Sequence, residues 1–302
     1  MEQPIKQTAG LKEAEAVPSH SETDPKTAAS AGEGWGCKSV AGASPSMTSF
    51  VYAIGRIEPR FGSLASEKEF AQAASRVETA GKTDRQRLHA VLSERQNRYL
   101  ARQICWVLIV QGLETYILLP RDPADIDLLV NAIRPVPNPS DIDVVIGMRG
   151  PVAPPELCNG LMVPLLAFDQ IYSFGLDELI KSMPAPSQMS SDEFRPAAEE
   201  VFNTIIQLAD NAGSTSEHRA LNYCIVRYRG FFDKTVEQFH RNFSLTGVEA
   251  RPSSLSSTRA IVDVVFSYAD RQRDSTEKYF VRVDVTEEFP FLMTRMAPYY
   301  DH

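Results

Sequence analysis

Two neighbouring apolar runs constrain the fold of this chain more than any other feature. Residues 105–110 read CWVLIV and residues 115–119 read TYILL, with a Gln-Gly turn between them. Both runs have the length and the β-branched and aromatic content of strands. Pro120 ends the second run, because proline has no N–H to donate to a strand ladder. Strands this apolar are buried on both faces, so we expect the pair, with Trp106, at the centre of the core.

The residues before this pair have the periodicity of helices. Thr83 or Asp84 can cap a helix whose apolar residues recur at helical spacing from Leu88 onward. The pattern continues through 94–104 with few helix-breaking residues. The sequence therefore predicts two helices leading directly into the first central strand.

The remaining predicted elements follow in chain order. Before the central stretch they are a strand at 50–57 and a helix at 66–77, in which Ser66 and Glu69 have the spacing of a capping box. After it come a helix at 124–133, a strand at 141–146, a proline-rich loop at 149–155, an interrupted strand at 161–174 and a helix at 177–183. A connector at 185–191 precedes helical segments at 192–212 and 215–243 and strands at 258–268, 276–285 and 289–293.

This order of elements indicates an α+β protein, because strands are grouped in pairs and helices are grouped in the middle. We expect two lobes, 50–184 and 192–302, with antiparallel or mixed sheets and a central helical segment. Residues 1–49 contain almost no large apolar side chain apart from Trp35, so we expect a disordered N-terminal tail. The folded domain then spans 50–302.

Composition excludes several classes of partner. A net charge of −8 argues against nucleic-acid binding, which requires a basic face. No run approaches the roughly 18 apolar residues of a membrane span. The four cysteines, Cys37, Cys105, Cys158 and Cys224, are far apart and form no CxxC pair, which indicates free thiols in a reducing cytoplasm. No motif calls for a cofactor.

The sequence lacks the common catalytic motifs, and its best chemical candidates are isolated residues. Cys158 and His218 are the candidate nucleophile and base, and Asp169 is a carboxylate interrupting an apolar run. A zinc set of Cys158, His218 and Cys224 is an alternative that requires three segments to converge. Each of these side chains is more often structural than functional, so the sequence favours neither a catalytic nor a metal site.

Binding candidates are more numerous. Arg95, Arg98 and Arg102 are spaced as one stripe of a helix and could hold an acidic peptide, although a solvated face is the simpler interpretation. Asn159 and Gln170 are polar residues in the segment around the proline-rich loop and are added to the predicted binding set. A further pair, Asp141 and Asp143, is expected on the solvent side of its strand.

Several long segments of the chain resemble the C-terminal domain of unknown function of the PatG-type cyanobactin maturation proteases. They are VYAIGRIEPRF at 51–61, EKEFAQAASR at 67–76, RQNRYLARQICWVL at 95–108, GLETYILLPRDPADIDLL at 112–129, IGMRGPVAPPELCNGLMVP at 146–164, FDQIYSF at 168–174, DNAGSTSEHRALNY at 210–223 and EKYFVRVDVTEEFPF at 277–291. The resemblance covers nearly the whole chain after residue 50.

The resemblance implies a context in ribosomal peptide modification and no defined chemistry. The full-length proteins carry a subtilisin-like protease, whereas this chain contains none of that protease's Asp, His and Ser motifs. We therefore expect a non-catalytic accessory or binding module that recognises a precursor peptide or a modifying enzyme. The alternative is a peptide-modifying enzyme that uses Cys158, His218 or Asp169, and homodimer formation is left open.

Overall fold

The structure is a computed structural model, and it describes residues 49–300 except 79, 139, 176–177 and 179–210. Nearly all of the predicted tail and of the predicted helices at 177–183 and 192–212, and the whole connector at 185–191, lie outside the described residues. The division into two lobes at that connector therefore stays a prediction. No described helix is long and apolar enough to cross a membrane.

Five strands form a closed barrel. They are β1 (Phe50–Phe61), β2 (Ile104–Val110), β3 (Leu113–Pro120), β4 (Asp141–Val152) and β5 (Pro164–Gly175). Their order around the barrel is β1-β2-β3-β5-β4, and β4 closes it by pairing with β1. All neighbours are antiparallel except β3 and β5, which are parallel. A five-stranded barrel with this Greek-key order is the architecture of the OB-fold.

Four helices in the β1–β2 and β3–β4 connections pack against the barrel core. They are α1 (Leu64–Ala74), α2 (Asp84–Ser93), α3 (Arg98–Gln103) and α4 (Ile126–Ala132), with 3₁₀ turns at Arg95–Asn97 and Pro123–Asp125. Thr83 caps α2 as predicted, through a capping box with Gln86. The predicted cap of α1 was wrong, because Ser63 is the N-cap and Ser66 is its capping-box partner. The segment predicted as a helix at 94–104 is a 3₁₀ turn followed by α3, and the extended backbone of Glu94 (φ −67°, ψ 126°) separates it from α2.

The rest of the described chain forms two helices and a second, antiparallel sheet. The helices are α5 (Ser216–Arg227) and α6 (Arg229–His240), and the strands are β6 (Phe243–Pro252), β7 (Ile261–Asp270), β8 (Thr276–Asp284), β9 (Phe291–Leu292) and β10 (Ala297–Pro298). The sheet order is β10-β8-β7-β6, and β9 also pairs with β8. The predicted α+β class, with a mixed sheet and an antiparallel one, is confirmed.

Three apolar clusters hold these parts together. The first fills the barrel and contacts α1 to α4, and Trp106, Leu118 and Phe168 belong to it. The second joins the outer face of β1 and β4 to α5, α6 and the second sheet. The third is a small cluster on the outer face of β2, where Val107 packs against the loop between β4 and β5.

The position of Asp143 shows that one expectation was wrong. Asp141 and Asp143 were expected on the solvent side of their strand, but Asp143 is buried. Its side chain is fully buried, where its carboxylate accepts hydrogen bonds from Ile57 N at 2.7 Å, Ser173 Oγ at 2.7 Å and Arg134 Nη2 at 3.2 Å. Burial raises the pKa of Asp143, and the hydrogen bonds together with the Arg134 charge partly offset that rise. A buried carboxylate requires such partners, because an unpaired one is strongly destabilising.

The burial of Trp106 gives a direct test of the barrel core. Its side chain is 2% exposed, and its Nε1 donates to the Ala101 carbonyl at 2.8 Å. Trp106→Ala should lower the free energy of unfolding by about 3–5 kcal/mol, because it leaves a large cavity. Urea denaturation measures this loss. Tyr99→Ala on α3, where the side chain is 49% exposed, is the control and should change stability by under about 0.5 kcal/mol. Equal effects of the two changes would contradict the packing described.

Candidate functional site

A disulfide fixes the loop at 153–163 to the barrel wall. Cys105 on β2 and Cys158 in the loop are bonded, with their Cα atoms 5.6 Å apart. The expectation that these two cysteines are free thiols was wrong, because the fold brings together residues that are 53 positions apart. Cys224 is free and fully buried. Cys158 is therefore no thiolate nucleophile while the disulfide is intact.

The same loop covers an apolar surface. Ala153 and Cys158 are buried against Val107 and Ile117, which point outward from β2 and β3. Backbone hydrogen bonds from Ala153 N to Val163 O at 2.9 Å and from Gly160 N to Pro155 O hold the loop in shape. In OB-fold proteins the β2–β3 face and the β4–β5 loop commonly bind oligonucleotides or oligosaccharides. In this chain that face is covered by the chain's own loop.

A groove opens beside the disulfide-held loop at 153–163, at the end of the barrel where β3 begins. We call it the Arg149 groove, and its volume is about 440 Å³. It is lined by Val110, Gln111, Leu113, Glu114, Thr115, Tyr116, Arg149, Val163, Pro164, Asn211, Ala212 and Ser214. Three separate parts of the chain meet there: the β2–β3 turn, the two ends of the β4–β5 connection and the segment at 211–214. Its size is within the range of ligand sites in proteins.

The charge of the groove comes from Arg149. This side chain is exposed, and no hydrogen bond or ion pair joins its guanidinium to another described residue. The acidic neighbour Glu114 is already paired with Arg60. The groove therefore combines apolar walls, including Leu113 at 70% exposure, with one uncompensated positive charge. A ligand carrying an apolar side chain and a carboxylate would match both features.

Tyr116 ties the segment at 211–214 to the barrel at the base of the groove. Its hydroxyl donates to the Ala212 carbonyl at 2.9 Å. Burial raises the pKa of Tyr116, and interactions with Ser214 and Arg149 partly oppose that rise. The hydroxyl therefore stays protonated near neutral pH and acts as a donor. Its role is to hold the wall of the groove in place.

Buried amides secure the same segment from its other side. The Asn222 Nδ2 group donates to the Tyr52 carbonyl at 2.7 Å, and the Asn211 Nδ2 group donates to Asn222 Oδ1 at 2.7 Å. Gly213 has a φ of +72°, and a Cβ there would overlap the Tyr52 carbonyl oxygen. The wall of the groove thus lies directly on β1 and requires glycine at the point of contact.

The predicted arginine stripe is interrupted. Arg98 lies on α3 and is paired with Asp127, whereas Arg95 lies in the preceding 3₁₀ turn. Arg102 is exposed on α3. The three arginines therefore do not share one α-helix, although their part in binding stays a prediction.

The other predicted site residues lie on separate elements. Asn159 is exposed in the disulfide-held loop at 153–163 and has a φ of +46°. Gln170 lies on β5. Asp169 is the extra residue of a β-bulge in β5, is 38% exposed, and lies 3.6 Å from Arg121 Nη1. Although it interrupts an apolar run, Asp169 is therefore not a buried carboxylate.

The residues of the alternative catalytic set and of the zinc set also lie on separate parts of the structure. His218 lies on α5, which packs with the second sheet, while Cys158 lies on the opposite outer face of the barrel. Cys224 is enclosed by the apolar cluster around α5. Among the described residues no three His, Cys, Asp or Glu side chains are grouped as metal ligands.

Sequence analysis missed Arg149, whose one local signal is its position between a strand and the proline-rich loop.

The fold and these contacts define an α+β protein built on an OB-type barrel with an added helix-and-sheet layer. Residues 50–251 match the sequence model of the PatG Domain family, and the chain belongs to that family. A solved structure described as "PatG Domain of Unknown Function" is similar to this chain with a TM-score of 0.69 and 20% identity. The alignment covers 83% of this chain and 99% of that one, and at this identity it establishes a common fold. A search of curated proteins found no match.

The disulfide is expected to contribute to stability. A cross-link between residues 53 positions apart restricts the unfolded chain, which corresponds to about 4 kcal/mol in the chain-entropy description. Reduction with a dithiol should lower the free energy of unfolding by about that amount. Urea denaturation with and without reductant measures the difference. A Cys105→Ser/Cys158→Ser double variant should be insensitive to the reductant, and Cys37→Ser should behave as the original protein. A reductant effect that persists in the double variant would contradict this assignment.

Proposed function

We propose that this protein is a non-catalytic binding module of ribosomal peptide biosynthesis of the cyanobactin type. It would recognise a precursor peptide or a partner enzyme through an extended segment seated in the Arg149 groove. Membership of the PatG domain family supports the biosynthetic context, and the groove itself supports binding. The observation on which the proposal rests is the Arg149 guanidinium, unpaired among the described residues, beside exposed apolar side chains.

The chemistry of the groove defines the segment that would fit. An apolar side chain would contact Leu113, Val163 and Pro164, while an acidic side chain would pair with Arg149. Guanidinium groups bind carboxylates through paired, charge-assisted hydrogen bonds, which fix the position of the ligand as well as its charge. The disulfide-held loop and the Tyr116 hydrogen bond fix the walls before binding. A preformed site loses less conformational entropy when its ligand binds.

The enzyme alternative has less support from the described residues. Its nucleophile Cys158 is in a disulfide, and Asp169 and His218 lie on different elements. None of the three lines the Arg149 groove. A binding role requires only the walls and the charge of the Arg149 groove and no reacting group.

Titration calorimetry can test the groove with two matched peptides. One is acetyl-Leu-Glu-Leu-Ala-amide, and the other carries Gln in place of Glu. The Glu peptide should bind about tenfold more tightly, which corresponds to about 1.4 kcal/mol for one charged hydrogen-bond pair. Arg149→Gln should remove this preference. The affinity for the Glu peptide should also fall as salt concentration rises, because the contact is exposed.

A matched control distinguishes binding in the Arg149 groove from binding at the predicted arginine stripe. Arg102→Gln changes an exposed arginine on α3 and should leave binding unchanged. Loss of binding in Arg102→Gln with full binding in Arg149→Gln would move the site to α3. Failure of the original protein to bind either these peptides or a precursor peptide encoded beside its gene would contradict the proposed function.

A further inference from the structure

A second cavity lies on another part of the barrel, between β1, α1 and α2. Its volume is about 470 Å³, and we call it the β1–α1–α2 pocket. It is lined by Glu58, Pro59, Phe61, Glu67, Phe70, Ala71, Asp84, Arg85, Arg87 and Leu88. None of these residues belongs to the Arg149 groove. The helices come from the long β1–β2 connection, so the pocket is a product of that insertion into the barrel.

Arg87 supplies a cation that lacks a partner. Its Nε atom is shielded from solvent and has no hydrogen-bond acceptor. No ion pair joins its guanidinium to another described residue. A buried donor without an acceptor is destabilising, and the destabilisation is larger for a charged group. Because Nε is enclosed, a carboxylate bound in the pocket would pair with the terminal Nη groups of Arg87, which have no partner among the described residues.

Carboxylates also line the pocket. Arg85 donates through Nε to the Arg134 carbonyl at 3.1 Å and lies 3.9 Å from Glu58, so it is already engaged. Glu67 and Asp84 are exposed at the pocket and have no ion pair with a described residue. The two free carboxylates therefore offer acceptors for an ammonium group in the same cavity as the free guanidinium.

Two aromatic side chains line the same pocket. The Phe61 and Phe70 rings lie 5.2 Å apart at an angle of 50°. Leu88 and Ala71 extend the apolar surface on the two helices. A ligand would thus meet an apolar contact, a cation and carboxylates within one cavity of small-molecule size.

We propose that the β1–α1–α2 pocket binds a free α-amino acid with an apolar side chain. The carboxylate of the ligand would pair with Arg87, its ammonium group with Glu67 on α1, and its side chain would pack on Phe61 and Phe70. This inference is independent of the Arg149 groove, because the two sites share no residue. It assigns the protein a small-molecule site in addition to the proposed peptide site.

Titration calorimetry with three probes resolves the three contacts. L-Phenylalanine carries both charges, 3-phenylpropionate lacks the ammonium group, and L-phenylalaninamide lacks the carboxylate. L-Phenylalanine should bind saturably, and each of the other two should bind about tenfold more weakly, as expected for loss of one charged contact. A site that binds all three equally would overturn the proposal, and so would the absence of saturable binding of L-phenylalanine.

Two variants assign the charges, and a third serves as control. Arg87→Gln should weaken L-phenylalanine about tenfold and leave L-phenylalaninamide unchanged, because the amide makes no contact with Arg87. Glu67→Gln, an exposed change on α1, should weaken L-phenylalanine and leave 3-phenylpropionate unchanged. Arg76→Gln lies outside the pocket and should bind all three probes as the original protein does. If instead Arg87→Gln and Glu67→Gln both fold and bind L-phenylalanine normally, the pocket is not the site.

Discussion

The change of partner along β1 is the constraint on which the rest of the structure depends. Residues Phe50 to Gly55 pair with β4, and residues Arg56 to Phe61 pair with β2, so one strand closes the barrel. At the change of partner β1 comes so close to β2 that a Cβ on Gly55 would overlap the Ile109 carbonyl oxygen. Where β1 leaves β4, the Ile57 N–H has no backbone acceptor on that strand, and the buried Asp143 carboxylate takes its place. The buried charge therefore has a structural role at the seam of the barrel.

Both cavities depend on that strand. The first half of β1 carries Tyr52, whose carbonyl accepts a hydrogen bond from Asn222 and whose N–H donates one to the Gly213 carbonyl at 2.9 Å. It therefore supports a wall of the Arg149 groove. Its second half carries Glu58 and Phe61, which line the β1–α1–α2 pocket. A rigid closed barrel places binding groups more reproducibly than loops alone. The loops and helices that complete each cavity are attached to this frame.

A loop covers part of the barrel face through which OB-folds commonly bind oligonucleotides. The outward residues Cys105, Val107 and Ile117 are apolar and are buried by the loop that the disulfide holds, so this part of the β2–β3 face presents no basic or aromatic platform. The net charge of −8 is consistent with that difference. Fold similarity alone would point to the β2–β3 face, whereas the two cavities lie elsewhere on the barrel, so function is argued from the chemistry of those cavities.

Local sequence determined the elements whose signals lie within a few residues. Periodicity predicted the strands on either side of the central turn and the burial of Trp106, and the Thr83 cap followed from residue type and spacing. Only the tertiary structure decided which distant residues meet: Cys105 with Cys158, Asp143 with Ile57 and Arg134, and Arg149 with the segment at 211–214. These contacts depend on barrel closure, which brings together positions far apart in the chain. The alternating pattern of β4 does not show whether the inward carboxylate of Asp143 has hydrogen-bond donors, because those donors lie on other elements. For the same reason the sequence indicated an α+β binding module, while the location and charge of its cavities came from the fold.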